Sequence, residues 1–253
     1  AKSQVLNKVE DQRDVANVKP AVRSDILRMK QQAKTSGITR SAADNTSDGY
    51  ITHAGDYAHN VYGGTWVCTD WANHWENSAN FAVSKDLSGN TFDLCCGPTA
   101  ITNAIKMYGN QYNVSAIKNR TSQSIYNTVI RVNNDANGNY YSPYWGTYND
   151  TVAQYISECF DAVYSDVTLY GTYLLSVQNI KNATTSNRLM YILLTSNDKP
   201  YGEHHLIGYA WSLMSDNLGR NYYFIKVADG FNSSGRYLDQ KVVYNESYYE
   251  LYF

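Results

Sequence analysis

An α+β fold, with an early helical half and a late antiparallel strand half, is what this sequence predicts, and three observations predict it. The first is helical spacing in DLCCGPTAITNAIKMYG, residues 93 to 109, and in NDTVAQYISECFDAVY, residues 149 to 164. The second is a later change of pattern. LMYILLT (189 to 195), HHLIGYAWSLM (204 to 214) and YYFIKVA (222 to 228) are rich in β-branched and aromatic residues and are separated by Asn, Asp, Gly and Pro clusters. The third is length, because 253 residues bury one sizeable core without needing cross-links. Helices first and strands later put a cleft where the two halves meet.

Taken in chain order, residues 1 to about 36 are charged and helix-prone. Pro20 fits a first helical position, Val22, Ile26 and Ala33 lie near one face, and Gly37 stops the pattern. The small, polar stretch from Ile38 to Tyr50 reads as a linker. The chain therefore divides into an arm and linker, 1–48, and a main domain, 49–253. Between Tyr57 and Phe81, Trp71 and Trp75 stand one helical turn apart, which predicts a core-facing aromatic stripe. In residues 93 to 109, Ala100, Ile101, Ala104, Ile105 and Tyr108 recur at helical spacing, Pro98 suits the first turn and Gly109 ends the run. Residues 149 to 164 put Val152, Ile156, Cys159, Phe160 and Val163 on one face after an Asn or Asp cap, so Cys159 is expected to be buried and inert.

Composition narrows the partners. Charged residues make up 17% of the chain, below the roughly 25% usual for globular proteins, while tyrosine reaches 24 residues. Such a surface hydrogen-bonds without depending on ion pairs and suits extracellular conditions. The formal charge is -2 and the basic residues are scattered, so no nucleic-acid partner is expected. No apolar run is long enough to span a bilayer and the first residues are polar, which predicts a secreted or cell-surface protein whose signal peptide has been removed. Cys68, Cys95, Cys96 and Cys159 are too sparse to read as a disulfide framework.

The chemistry concentrates at Cys96, at or just before a helix start, where unpaired backbone N–H groups and the positive end of the helix dipole favour thiolate over thiol. The bland alternative makes Cys95 and Cys96 packing residues or a strained adjacent disulfide. A cysteine nucleophile needs a base and a group to orient that base, and the late strands offer both. His204 and His205 point to opposite faces of a strand, so one of them can face Cys96, and alternation alone does not say which. Asp229, at the end of the next strand in VADGF, is placed to accept from an imidazole Nδ1, although a strand-end Asp is also a common turn former.

Cys-Gly-Pro-Thr-Ala opening a helix, a His on a later strand, and an Asp ending the next strand together resemble the papain-like cysteine peptidase superfamily, closest to its bacterial bacteriocin-leader-peptidase-like and streptopain-like branches. The resemblance covers about residues 90 to 235 and implies a papain-like fold, in which a helical half carrying the nucleophile helix packs against an antiparallel sheet. It implies Cys96 as nucleophile, Asp229 as orienting group, and a base followed six residues later by Gly-Tyr. Counting from His204 reaches Ala210-Trp211, a small residue and then an aromatic one, which matches His204 to the family's base. His205 stays open as the alternative. The family's oxyanion glutamine falls at Asn90, a shorter amide, with the Cys96 backbone N–H as a second donor.

The expected function is hydrolysis of a peptide or protein substrate with no metal or organic cofactor, and the 1–48 arm reads equally as an inhibitory prosegment or as an ordered decoration. Two rivals keep the fold: a transamidase with the same triad, and a non-catalytic module binding polymers through tyrosine-rich surface. A zinc site from His53, His59, His74 and the His204-His205 pair lacks ligand spacing. Cys68 has no assignment.

Overall fold

A computed structural model describes residues 51–75, 80–89, 94–144, 146–164, 167–194, 201–243 and 246–253. The expected arm and linker, 1–48, lie outside them. In chain order come α1 (Ala54–Tyr62), β1 (Trp66–Asn73), α2 (Ser84–Ser88), α3 (Cys96–Gln111), α4 (Ser115–Lys118) and α5 (Ser122–Asp135). A short hairpin, β2 (Tyr141–Ser142) and β3 (Gly146–Thr147), leads to α6 (Val152–Val163), β4 (Thr168–Leu174) and α7 (Val177–Thr185). The remaining elements are strands: β5 (Leu189–Leu194), β6 (His204–Asp216), β7 (Asn221–Ala228), β8 (Arg236–Asp239) and β9 (Ser247–Tyr252). The class is α+β, mixed helix and antiparallel sheet.

The sheet has seven strands in the order β4-β9-β5-β6-β7-β8, with β1 added beside β6. Strand β6 is long enough to serve two partners in succession on one edge. Its residues His204 to Gly208 pair with β5 and Ala210 to Asp216 pair with β1, while β7 runs along the other edge from Ile207 to Ser215. The sheet is buried on both faces, so its strands read as continuous apolar runs. On one face Tyr191, Ile207, Tyr209 and Leu251 pack with residues of α3, α5 and α6; on the other Ile192, Leu206, Ile225 and Tyr248 pack with Ile180 and Ala183 of α7. A register shift between Gly208 and Ala210 puts Tyr209 and Ala210 together on the α3 face.

Helix α3 forms where its apolar spacing predicts and is buried continuously from Gly97 to Ile105. Ile101 and Ile105 have no exposure, each contributing roughly 1.5–3 kcal/mol by leaving water. Its polar residues are satisfied internally: the Thr102 hydroxyl donates to the Pro98 carbonyl, and Asn103 bonds both the N–H and the C=O of Ala82. Gly109 does not end this helix, which runs on to Gln111. A methyl group on Gly109 would sit 2.3 Å from Ile117 Cγ2, so the residue is small to let α4 approach.

The stretch with Trp71 and Trp75 departs from the helical expectation. Trp66–Asn73 is a strand, Trp71 is 60% exposed, and only Trp75, at 1%, enters the core beside Tyr112 and Phe253. Positive φ at Gly63 and Gly64 breaks α1 before this segment, and pairing with β6 then dictates an extended backbone. Cys159 lies within α6 with no exposure, and burial raises its thiol well above the ordinary value. No helix among the described residues is long and apolar enough to cross a membrane.

Candidate active site

The start of α3 is held against the β2–β3 hairpin by two contacts. The Leu94 N–H donates to the Pro143 carbonyl at 3.0 Å, which ties the β2–β3 hairpin to the residues just before the helix. Thr147 of β3 then packs onto Gly97 so closely that a methyl group there would lie 1.9 Å from its Oγ1 and 2.6 Å from its Cβ. Only glycine fits after Cys96.

Cys95 and Cys96 are both free thiols and diverge at the helix start, so no adjacent disulfide forms. Cys95 is buried, its sulfur 3.7 Å from the Ser84 carbonyl and 4.0 Å from the Thr99 hydroxyl. Cys96 faces the sheet, where the backbone N–H groups of His205 and Gly97 both favour its thiolate. Burial outweighs them. Cys96 is partly exposed as a residue, yet its sulfur is enclosed enough for desolvation to push the thiol up to about 12, with the charge of Glu203 adding to the rise. The expectation of a thiolate favoured by the helix start is therefore corrected: two N–H groups do not offset the loss of water around the sulfur.

The two histidines diverge as strand alternation requires. His205 pairs with Leu193, which packs on the α3 cluster, so His205 shares a face with Cys96. Its Nδ1 lies 3.0 Å from the hydroxyl of buried Tyr191. Burial and the charge of neighbouring His204 lower the His205 imidazole to about 3, which holds the ring neutral. His204 pairs with Leu194 and turns to the α7 face, where it is 2% exposed. There it is stacked between Tyr201, at 5.4 Å and 9°, and Phe231, at 4.5 Å and 14°. Its Nε2 lies 2.7 Å from the backbone carbonyl oxygen of Asp229. A carbonyl only accepts, so Nε2 holds the proton and in the neutral ring Nδ1 carries the basic lone pair.

Asp229 thus meets His204, but not as expected. Its backbone carbonyl, rather than its carboxylate, makes the link, and to Nε2 rather than Nδ1. The carboxylate is occupied by the turn that ends β7: Oδ1 accepts from the N–H groups of Phe231 and Asn232, and Oδ2 accepts from Asn232 Nδ2 and the Tyr201 hydroxyl. The turn-forming habit of a strand-end Asp prevails here. Burial raises the carboxyl above its ordinary value, against the lowering effect of these donors.

The structure therefore gathers Cys96, the backbone N–H of His205 and Tyr191 of β5 on the α3 face, and joins His204 to Asp229 on the other. Asn90 lies outside the described residues. His53 precedes α1, His59 bonds the Gly64 carbonyl and His74 follows β1, and no group of three His, Cys, Asp or Glu among the described residues could hold a metal ion. Cys68 is exposed on β1. Tyr191, Tyr201, Phe231 and Thr147 were not singled out from sequence. Tyr201 and Phe231 flank the His204 and Asp229 motifs closely, and that aromatic flanking was the available signal. No family model, curated protein or solved structure matches this chain.

Proposed function

We propose that the protein is a cysteine peptidase of papain-like architecture, with Cys96 as nucleophile and His205, the histidine that shares its face of the sheet, as the group that takes and returns its proton. The observation that carries this reading is the shared face of Cys96 and His205: the His205 backbone N–H reaches the Cys96 sulfur, and its strand partner Leu193 packs on the α3 cluster. His204 turns to the opposite face, stacked between Tyr201 and Phe231, and burial keeps the His205 imidazole neutral at rest. With the thiol pushed up to about 12, the resting pair is thiol and imidazole, and the proton leaves as attack occurs. In the first step the Cys96 proton passes to the His205 imidazole, the S–C bond forms, and the carbonyl π pair moves to oxygen. Collapse then breaks the C–N bond, the leaving amine takes the proton from His205, and water hydrolyses the thioester.

The test is turnover of a degenerate peptide library read by mass spectrometry. Cys96→Ala should abolish cleavage, His205→Ala should lower kcat by roughly 10²–10⁴, and His204→Ala should leave more of it than His205→Ala does. Cleavage that survives Cys96→Ala rejects the reading. A high thiol value also suits a second reading, a non-catalytic polymer-binding module, which predicts no cleavage by the wild type and iodoacetamide labelling of Cys96 that follows an ordinary buried thiol.

A further inference from the structure

We propose that the Thr147 side chain is a catalytic hydrogen-bond donor, completing with the Cys96 backbone N–H a pocket for the oxyanion formed on an acyl carbonyl. The inference rests on Cys96 being the acyl-forming nucleophile. Helix α3 begins with few unpaired donors. Pro98 has no N–H and the Thr99 N–H already reaches the Cys95 carbonyl at 3.0 Å, which leaves those of Cys96 and Gly97. Cys95, the N-cap residue, offers no side-chain bond to them, and no acidic residue lies in the first turn. The Gly97 N–H is directed at the Cys96 sulfur. Besides the Cys96 N–H, and among the described residues, one side chain is placed to hold the oxyanion by a further bond.

Thr147 supplies that donor. It is 8% exposed, and its Oγ1 has no hydrogen-bond partner. Its position is given by Gly97: the hydroxyl lies 1.9 Å from where the absent Cβ would be, and a Cα–Cβ bond in an α-helix tilts toward the helix N-terminus. The hydroxyl therefore stands on the side of Gly97 where the unpaired N–H groups emerge. It is held there rigidly. Tyr141 pairs with Thr147 across the hairpin, the Tyr148 N–H donates to the Tyr140 carbonyl at 3.0 Å, and Asn133 bonds the N–H groups of Tyr140 and Tyr141 and the Tyr141 carbonyl. A buried polar group without a partner in the resting protein, fixed beside a helix start, is a donor kept for a ligand that arrives later. As the S–C bond forms, the π pair moving to the carbonyl oxygen creates the acceptor, and the Thr147 O–H donates to it while keeping its own proton.

The experiment compares acylation with alkylation of Cys96, since only acylation creates an oxyanion. Nitrophenolate release from p-nitrophenyl acetate and mass-spectrometric labelling by iodoacetamide are measured in the wild type and in Cys96→Ala, Thr147→Val and Thr147→Ser. Loss of one oxyanion donor should slow acylation in Thr147→Val by roughly 10²–10³, with unchanged alkylation and no fall in Tm, because an unsatisfied hydroxyl has been removed. Thr147→Ser should stay near the wild type. Acylation of Thr147→Val at the wild-type rate overturns the proposal while Cys96 chemistry stands, as does a Ser variant as slow as the Val variant, which would assign the effect to methyl packing. A wild type no faster than Cys96→Ala overturns both the acyl-enzyme reading and this one.

Discussion

Replacing His205 by Gln should make the protein more resistant to acid, by an amount that follows from burial. His205 is 5% exposed and its imidazole is lowered from 6.5 to about 3. The unfolded chain takes up a proton below pH 6.5 that the folded chain refuses until about pH 3, so stability rises with pH through that window and is lost as pH falls. Integrating the difference from pH 7 down to pH 4 gives a loss of about 3 kcal/mol attributable to this one residue. Gln can still accept from the Tyr191 hydroxyl but does not titrate. The assay is urea unfolding followed by tryptophan fluorescence at pH 7 and pH 4 for both proteins. Asp229 and Asp239, whose carboxyls are raised by burial, contribute with the opposite sign, but they are present in both proteins and cancel in the comparison. The wild type should lose about 3 kcal/mol more than the variant. Equal losses would show that His205 is not held neutral by burial.

Two further substitutions probe the geometry. Gly97→Ala puts a methyl group 1.9 Å from Thr147 Oγ1 and should cost roughly 1–3 kcal/mol or more in overpacking, read as a fall in thermal midpoint, with partial recovery when Thr147→Gly is added. Asp229→Asn keeps Oδ1 for the N–H groups of Phe231 and Asn232 and leaves the backbone bond to His204 in place, so peptide hydrolysis should stay within a few-fold of the wild type. Asp229→Ala should instead lower stability, because two backbone donors lose their acceptor at about 1–3 kcal/mol each. A hundredfold fall in the Asn variant would show that the carboxylate charge itself acts on His204.

Much of this arrangement is legible in the residue pattern, and what is not has physical causes. The spacing from Ala100 to Ile105 fixes a helix with Cys96 at its start, because a buried helix must keep its period. The three late strands fall where β-branched and aromatic runs lie, within two residues at their ends. The pair at β1 is misleading, since Trp71 and Trp75 stand four apart for reasons unrelated to a helix: one lies on an exposed strand and the other follows it into the core. Alternation states that His204 and His205 oppose each other, but which face meets α3 depends on the register of β5 against β6. The Asp229 link through its carbonyl has no sequence signature at all. Nor does the place of Thr147, which is set by a hairpin packing on a glycine.

The handover on the long strand β6 bears on where the chain tolerates a cut. From Ala210 to Asp216 its outer edge is paired, among the described residues, only with β1, which comes from the beginning of the described chain, and Ile51 adds a bridge to Tyr237 of β8. A cut that frees residues 1–48 leaves both attachments intact. A cut after Asn73 would strip β1 away and expose a row of unpaired N–H and C=O groups beside apolar Trp211 and Leu213, the kind of open margin on which another chain can add itself as a strand. The same few residues thus separate a cut that the sheet tolerates from one that would seed aggregation.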